Sequence, residues 1–490
     1  MKKIKPILCF ILSVIIAASV CGCKSDNSSQ IIYYGMADTP STVDPQLAYT
    51  SAELMIVRNL FEGLLRENGD GEIVNGVITD YEKNGLTYKF NIKNNAVWSD
   101  GTPLTASDFV FGLTRAVLPE TSAPYADSLM CIKNAAEIKQ GKLRSDALAV
   151  TAADDKTLII ELAFDDSDFL RTLTTSICMP CNKTFFEKST GKYGMSYETV
   201  LANGSYKLRK WTTEDFAMRI IKNDKYTGDF KPKNAAVYFS KSKDYTNFES
   251  LKRNTVDITQ IDAADVSAAK DTGYNTFSQE NKIIVLYTGS DMPLKIRKVL
   301  YACALSADDK SENGDYKIAD TVYPDIFEVN APKINIFAPD GAHKALTDTM
   351  KELKLNEFPQ TTIEYSGDDT IKEIAKTIAG HWQQYLGIYI NVTQSGSYDT
   401  VKSNIKNKSN YIAVYTIEIN QANMTQYLDS LGVYNNGNYE SLQNDILENC
   451  SRIPLAFGFT YYASSKNLTG IKYSNTNGVI DFSYIVKTSS

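Results

Sequence analysis

From Lys333 to Asn420 the apolar residues alternate between a two-residue period and a three-to-four-residue period, and few architectures accommodate that switch. The spacing predicts strands over Ile334 to Phe337, Thr361 to Tyr365, Ile388 to Val392 and Tyr411 to Ile419. Between them it predicts helices over Ala342 to Leu353 and Asp369 to Leu386, the longer one stopped by Gly387, and a third helical stretch before Tyr411. In the longer helix Ile371, Ile374, Ala375, Ile378, Trp382 and Leu386 form one apolar stripe, as a helix lying on a sheet requires. Repeated strand, helix, strand order implies an α/β fold with a mostly parallel sheet covered by helices. Ligands of such sheets sit beyond the strand ends, which here includes the region of Asn420.

The chain opens with an address. Three lysines lie within Met1 to Lys5, and Ile7 to Val20 is an almost unbroken apolar run, the layout of a secretory signal. The run is too short to span a bilayer comfortably. It ends in Val20-Cys21-Gly22-Cys23, which resembles the lipobox of bacterial lipoproteins, cut before a lipid-modified cysteine. Cys23 is the expected anchor, because the small Gly22 before it suits the cleavage site and Val20 before Cys21 does not. Residues 24–30 are polar and read as a tether. The mature protein is therefore expected outside the cytoplasm, held at the membrane by one lipidated cysteine.

At 490 residues the chain exceeds one compact domain. Its net charge of -7 disfavours nucleic acid as a partner. Only His343 and His381 are present, without a metal-ligand pattern beside them, so neither a metal nor another cofactor is expected. Thirty tyrosines suit a recognition cleft, where one end of the side chain stays wet. Cys178-Met-Pro-Cys181 has the spacing of a thiol-disulfide exchange motif, but no thioredoxin-like unit surrounds it, and two small buried hydrophobes account for it as well.

Nearer the N-terminus, Ile31 to Tyr34 reads as a strand and Glu53 to Leu65 as a helix closed by the turn Asn68-Gly-Asp-Gly71. Tyr88, Phe90 and Ile92 alternate with polar residues as in a half-exposed strand. Thr105 and Asp108 have capping-box spacing at the head of a helix from Ala106 to about Ala116.

Asp44-Pro45, Leu60-Phe-Glu-Gly-Leu64 and the stretch from Ala96 through Trp98-Ser-Asp-Gly101 to Phe109 together resemble extracytoplasmic solute-binding proteins of family 5, the oligopeptide- and dipeptide-binding lipoproteins of ABC transporters. Arg115, Ala123-Pro-Tyr-Ala126, Asn203-Gly-Ser-Tyr206, Trp211, Val256-Asp257-Ile258, Ile296-Arg297 and Leu386-Gly-Ile388 continue the likeness in family order. The resemblance implies a two-lobed, periplasmic-binding-protein-like fold (class II, cluster C type) with an extra α+β domain. Residues 1–22 would be the signal peptide and 23–30 the tether. Residues 31–72, 194–278 and 464–490 would form lobe one, 73–193 the appended domain and 279–463 lobe two. A monomer would capture an oligopeptide or similar linear solute between the lobes and pass it to permease subunits.

In the family the peptide backbone meets the segment that corresponds to Tyr49, Thr50 and Ser51. The resemblance also places the aspartate that holds the peptide ammonium at Asn420, and a nearby tryptophan at Ile417. An asparagine cannot balance a buried charge. Three readings follow: Glu418, on the same strand face, clamps the amine; the ligand lacks a free amine; or tight peptide binding has been lost. Two functions compete with import, a peptide sensor or chaperone-like receptor on the same fold, and a thiol-disulfide oxidoreductase using Cys178 and Cys181.

Overall fold

The structure, a computed structural model, describes residues 30–488 apart from 310, 312–313, 335–336, 421–422 and 434–437. The signal sequence and Cys23 lie outside the described residues, as does part of the expected strand from Ile334 to Phe337, whose described ends Ile334 and Phe337 join no sheet.

Among the described residues one eleven-stranded mixed sheet runs through the molecule. At one end Asn391–Gln394, Thr362–Ser366 and Ile412–Glu418 lie side by side and parallel, as the alternating sequence pattern predicts. At the other end Ile258–Ile261, Ile31–Gly35, Ala236–Ser240, Ala217–Lys222 and Tyr206–Thr212 follow one another, with parallel pairing only around Ile31–Gly35. Two long antiparallel strands, Asn275–Thr288 and Arg452–Ser464, join the ends. They correct the expectation of a mostly parallel sheet, which holds for one end only.

Each long strand serves one end, and the two pair with each other. Residues Lys282 to Thr288 pair with Ile412–Glu418, whereas Tyr461 to Ser464 pair with Ile258–Ile261. Between them the register slips from Glu280 opposite Phe459 to Lys282 opposite Gly458, leaving Asn281 as a bulge. Asn281 is held there from both sides: its carbonyl accepts from the Ile419 amide at 2.8 Å, and its Oδ1 accepts from the Thr460 hydroxyl at 2.9 Å.

Alternation along the strands decides where the cores form. Ile284, Leu286, Ile412 and Val414 face helices Ala342–Glu352 and Asp369–His381, while Ile283, Val285, Ala413 and Tyr415 face Met424–Leu431 and Tyr439–Asn449. This end of the sheet is therefore buried on both faces. Gly387, left-handed at φ 71°, ends the longer helix where its sequence position predicts. The following strand starts at Asn391, three residues later than expected.

A separate core unites strand Ile31–Gly35, helix Ser51–Leu60 and a four-stranded antiparallel sheet that includes Thr87–Ile92, in which Tyr88, Phe90 and Ile92 are buried. Helix Ala106–Val117 packs on that small sheet. Asp108 reaches back to the Thr105 amide at 2.8 Å and also receives the Trp98 indole NH at 3.3 Å, so one buried carboxylate ties the turn to the helix head.

Helix Ser51–Leu60 stops five residues short of the expected Leu65. Its next backbone groups are taken elsewhere. The Gly204 amide donates to the Leu60 carbonyl at 2.8 Å, the Asn203 side chain brackets Glu62 through its amide and carbonyl, and Gly76 and Val77 pair with Leu64 and Gly63. A Cβ on Gly204 would lie 2.8 Å from the Leu60 carbonyl oxygen, which is why that position needs glycine.

Candidate ligand-binding site

The head of helix Ser51–Leu60 is built by one carboxylate. Buried Glu53 accepts the Tyr49 amide at 3.1 Å, the Thr50 amide at 3.2 Å and the Ser41 hydroxyl at 2.5 Å. Burial alone would push its pKa up, but these hydrogen bonds outweigh burial and hold it below the ordinary range. Thr50 completes the cap, accepting from the Glu53 amide at 3.3 Å. Ser51, the first helical residue, is left to point across the molecule.

It meets Glu418, the last residue of strand Ile412–Glu418. The Ser51 hydroxyl donates to Glu418 Oε2 at 2.9 Å, joining segments 367 residues apart. A second bridge runs from Gln426 Nε2 to the Pro124 carbonyl at 2.9 Å. Tyr125 donates its hydroxyl to the Tyr49 carbonyl at 3.1 Å. Burial raises the Tyr125 pKa, and the negative charges of Glu418 and then Glu53 raise it further. The buried hydroxyls of Tyr462 and Tyr473 also feel Glu418: burial is the larger cause, and Tyr462 is pushed up to about 12.

Near these bridges lies a partly open cavity of about 20 Å³. Leu54, Tyr125 and Ser128 line one side, Thr175 and Ser176 a second. Asn420 and Asn423 come from the far end of the sheet, and Thr476 and Asn477 from the C-terminal segment. Asn420 rests on Gly478, where an added Cβ would stand 3.2 Å from its own Cβ. The Asn420 amide donates to Asn423 Oδ1 at 2.9 Å, and Asn423 Nδ2 donates to the Glu418 carbonyl at 3.2 Å, so the turn after the strand is fixed. A larger, open depression of about 810 Å³ near Asn68, Phe230 and Tyr484 lies away from these bridges.

The structure thus brings Ser51, Glu418 and Asn420 to one place. Thr50 and Tyr49 flank it, Tyr49 with its ring exposed but its amide and carbonyl both engaged. Ile417 sits on the opposite strand face, half-buried against the core of Ile283 and Val285, and is not among the residues lining the cavity. Sequence reasoning missed Ser128, Thr175, Ser176, Asn423, Thr476 and Asn477, neutral polar residues whose spacing carries no periodic signal.

The motif residues around the site are structural. Arg115 grips Asp44 through both nitrogens at 2.6 and 3.3 Å, reaches Gln46 at 2.7 Å, and lies over the Phe186 ring. Cys181 is part of the same packing, 3.4 Å from Arg115. Burial pushes both Cys178 and Cys181 up to about 12, so at neutral pH neither offers the thiolate that exchange chemistry needs.

A model of bacterial extracellular solute-binding proteins, family 5 (Middle), matches residues 72–439. The chain belongs to that family. As a family 5 solute-binding protein it binds its ligand without converting it, and the oxidoreductase reading is set aside. It is 26% identical to the oligopeptide-binding protein OppA of Bacillus subtilis over 81% of this chain and 78% of that protein. It is 36% identical to the periplasmic murein peptide-binding protein MppA of Escherichia coli over 197 residues, which span 40% of this chain and 36% of that protein. The solved structure of the Escherichia coli murein tripeptide binding protein MppA superposes with a TM-score of 0.78 at 21% identity, covering 94% of this chain and 99% of that one. Listeria monocytogenes OppA bound to peptide superposes at 0.74 with 20% identity, over 94% and 100%. These likenesses show a mixed α/β fold of the MppA and OppA kind, with one main mixed sheet and small extra sheets.

Proposed function

We propose that this family 5 protein is a lipid-anchored receptor that captures a peptide or similar linear solute between its lobes and delivers it to an ABC-transporter permease. The observation that carries the reading is the Ser51 to Glu418 hydrogen bond, which joins two distant parts of the chain beside a cavity lined from both. The lobes are assigned as residues 31–72, 194–278 and 464–490 against 279–463, with 73–193 appended to the first. The hinge is assigned to the Asn281 bulge and the strand opposite it, since a bulge is where two extended crossings bend most readily.

A cavity of about 20 Å³ has room for one water, whereas ligand pockets occupy roughly 300–1,000 Å³. Capture therefore requires the lobes to part. The Ser51 to Glu418 and Gln426 to Pro124 bonds, which cross between the lobes, open first and expose the segment of Tyr49 to Ser51 to a ligand main chain. Cys23, one short tether away from the folded chain, holds the receptor beside its permease, and the receptor works as a monomer. No helix among the described residues is long and apolar enough to cross a membrane, so in this reading the lipid supplies the attachment.

The test is thermal melting with pooled tri- to pentapeptides, alongside mass spectrometry of whatever co-purifies. A bound pool at 100 times its dissociation constant stabilises by about 2.7 kcal/mol. An unchanged melt across all pools, with no co-purifying solute, would refute peptide capture.

A further inference from the structure

We propose, resting on the peptide reading above, that the closed end of the cleft receives an uncharged hydrogen-bonding group of the ligand, such as an N-acyl carbonyl, an amide or a hydroxyl, rather than a free ammonium. The cavity is lined without a single Lys, Arg, Asp or Glu. Its polar groups are side-chain amides and hydroxyls, each able to donate and accept, and Asn420, Asn423, Thr476 and Asn477 are all buried.

Charge stops at the rim. Glu418 is exposed and bonded to Ser51, and Arg171, itself outside the lining, donates to Thr476 Oγ1 at 3.3 Å. Two further carboxylates lie nearby and both are engaged: Glu53 by Ser41 and the Tyr49 and Thr50 amides, and buried Glu67, behind Thr476, by the Ser474 hydroxyl and the Asn475 and Thr476 amides. An ammonium pushed past the rim would lose its water with no carboxylate in the cavity lining to pair with, a cost of several kcal/mol. A neutral amide or hydroxyl would exchange one set of hydrogen bonds for another. Asn420 is the residue that sets this preference, because the side chain of Asn423, the other cavity residue of the turn after Glu418, is committed to the Asn420 amide and the Glu418 carbonyl, and a carboxylate at Asn420 would reverse it.

The experiment compares matched tri- to pentapeptide amides, with free or acetylated N-termini, by calorimetry on the full folded protein and on Asn420→Asp. The wild type is expected to bind the acetylated form at least tenfold more tightly, and Asn420→Asp to shift the ratio at least tenfold toward the free amine. Equal or tighter wild-type binding of the free amine overturns the inference while leaving peptide capture intact. Binding of neither form overturns peptide capture and takes this inference with it. The wild-type comparison stands even if the variant does not fold.

Discussion

Asp481 is where acid should loosen the molecule. This fully buried carboxylate of the C-terminal segment sits 2.5 Å from Arg66 and 3.3 Å from Arg58, and it also accepts the Ser483 hydroxyl at 2.6 Å. Burial pushes its pKa up, but the two guanidinium charges, Arg66 the larger, overcome that and bring it down to about 2. Against an ordinary aspartate near 3.9 this is worth about 2–3 kcal/mol, counted once for the whole cluster. Because the folded pKa lies below the unfolded one, the stabilisation is complete above about pH 5 and is lost as pH falls through about 2. Glu62, on the other side of Arg66, is raised by burial and works in the opposite sense, so the wild-type slope alone does not isolate Asp481. Asp481→Asn does. At pH 7 the variant leaves two buried guanidiniums short of charge and should lose about 3–5 kcal/mol in urea denaturation. Between pH 6 and pH 2.5 the gap to wild type should narrow by about 2 kcal/mol. A gap that stays constant with pH would refute the claim that Asp481 is ionised and paired in the folded protein.

Arg115→Met should destabilise by about 3–5 kcal/mol by stranding Asp44, and adding Asp44→Asn should recover part of that loss; urea melts check both, and a loss below about 1 kcal/mol would contradict the staple. Cys178 and Cys181 should resist iodoacetamide at pH 7.5 in the folded protein and react once it is unfolded, as peptide mass mapping would show; Cys178→Ser should leave ligand binding unchanged. Ser51→Ala and Glu418→Ala should each favour the open form of the ligand-free protein by about 1 kcal/mol, a roughly fivefold shift in the closed-to-open ratio, and the double variant should add nothing further. Additive effects in scattering or energy-transfer measurements would show that the two side chains act separately.

How much of this could be read in advance follows from which forces act locally. The alternation between Ala342 and Glu418 gave its helices and the parallel trio because each element buries a stripe of its own. The end of helix Ser51–Leu60 was hidden, since the groups that capture Leu60 to Leu64 lie at Gly76, Val77, Asn203 and Gly204. The long strands that make the sheet mixed have both faces buried for much of their length and show little alternation to read. For the site, Ser51 and Asn420 were reached through resemblance and Glu418 through strand parity with Asn420, whereas the neutral polar lining has no sequence pattern and gathers only in three dimensions. Ile417 shows the limit of positional transfer: strand parity turns its side chain into the core.

The most direct test of capture by lobe closure is the distance between labels at Lys243→Cys and Glu373→Cys, exposed positions on opposite sides of the proposed hinge, while the native described cysteines stay buried. Lobe closure predicts a long and a short distance in the free protein, merging into the short one when a binding peptide saturates it. One fixed distance, unmoved by a peptide that calorimetry shows to be bound, would contradict it.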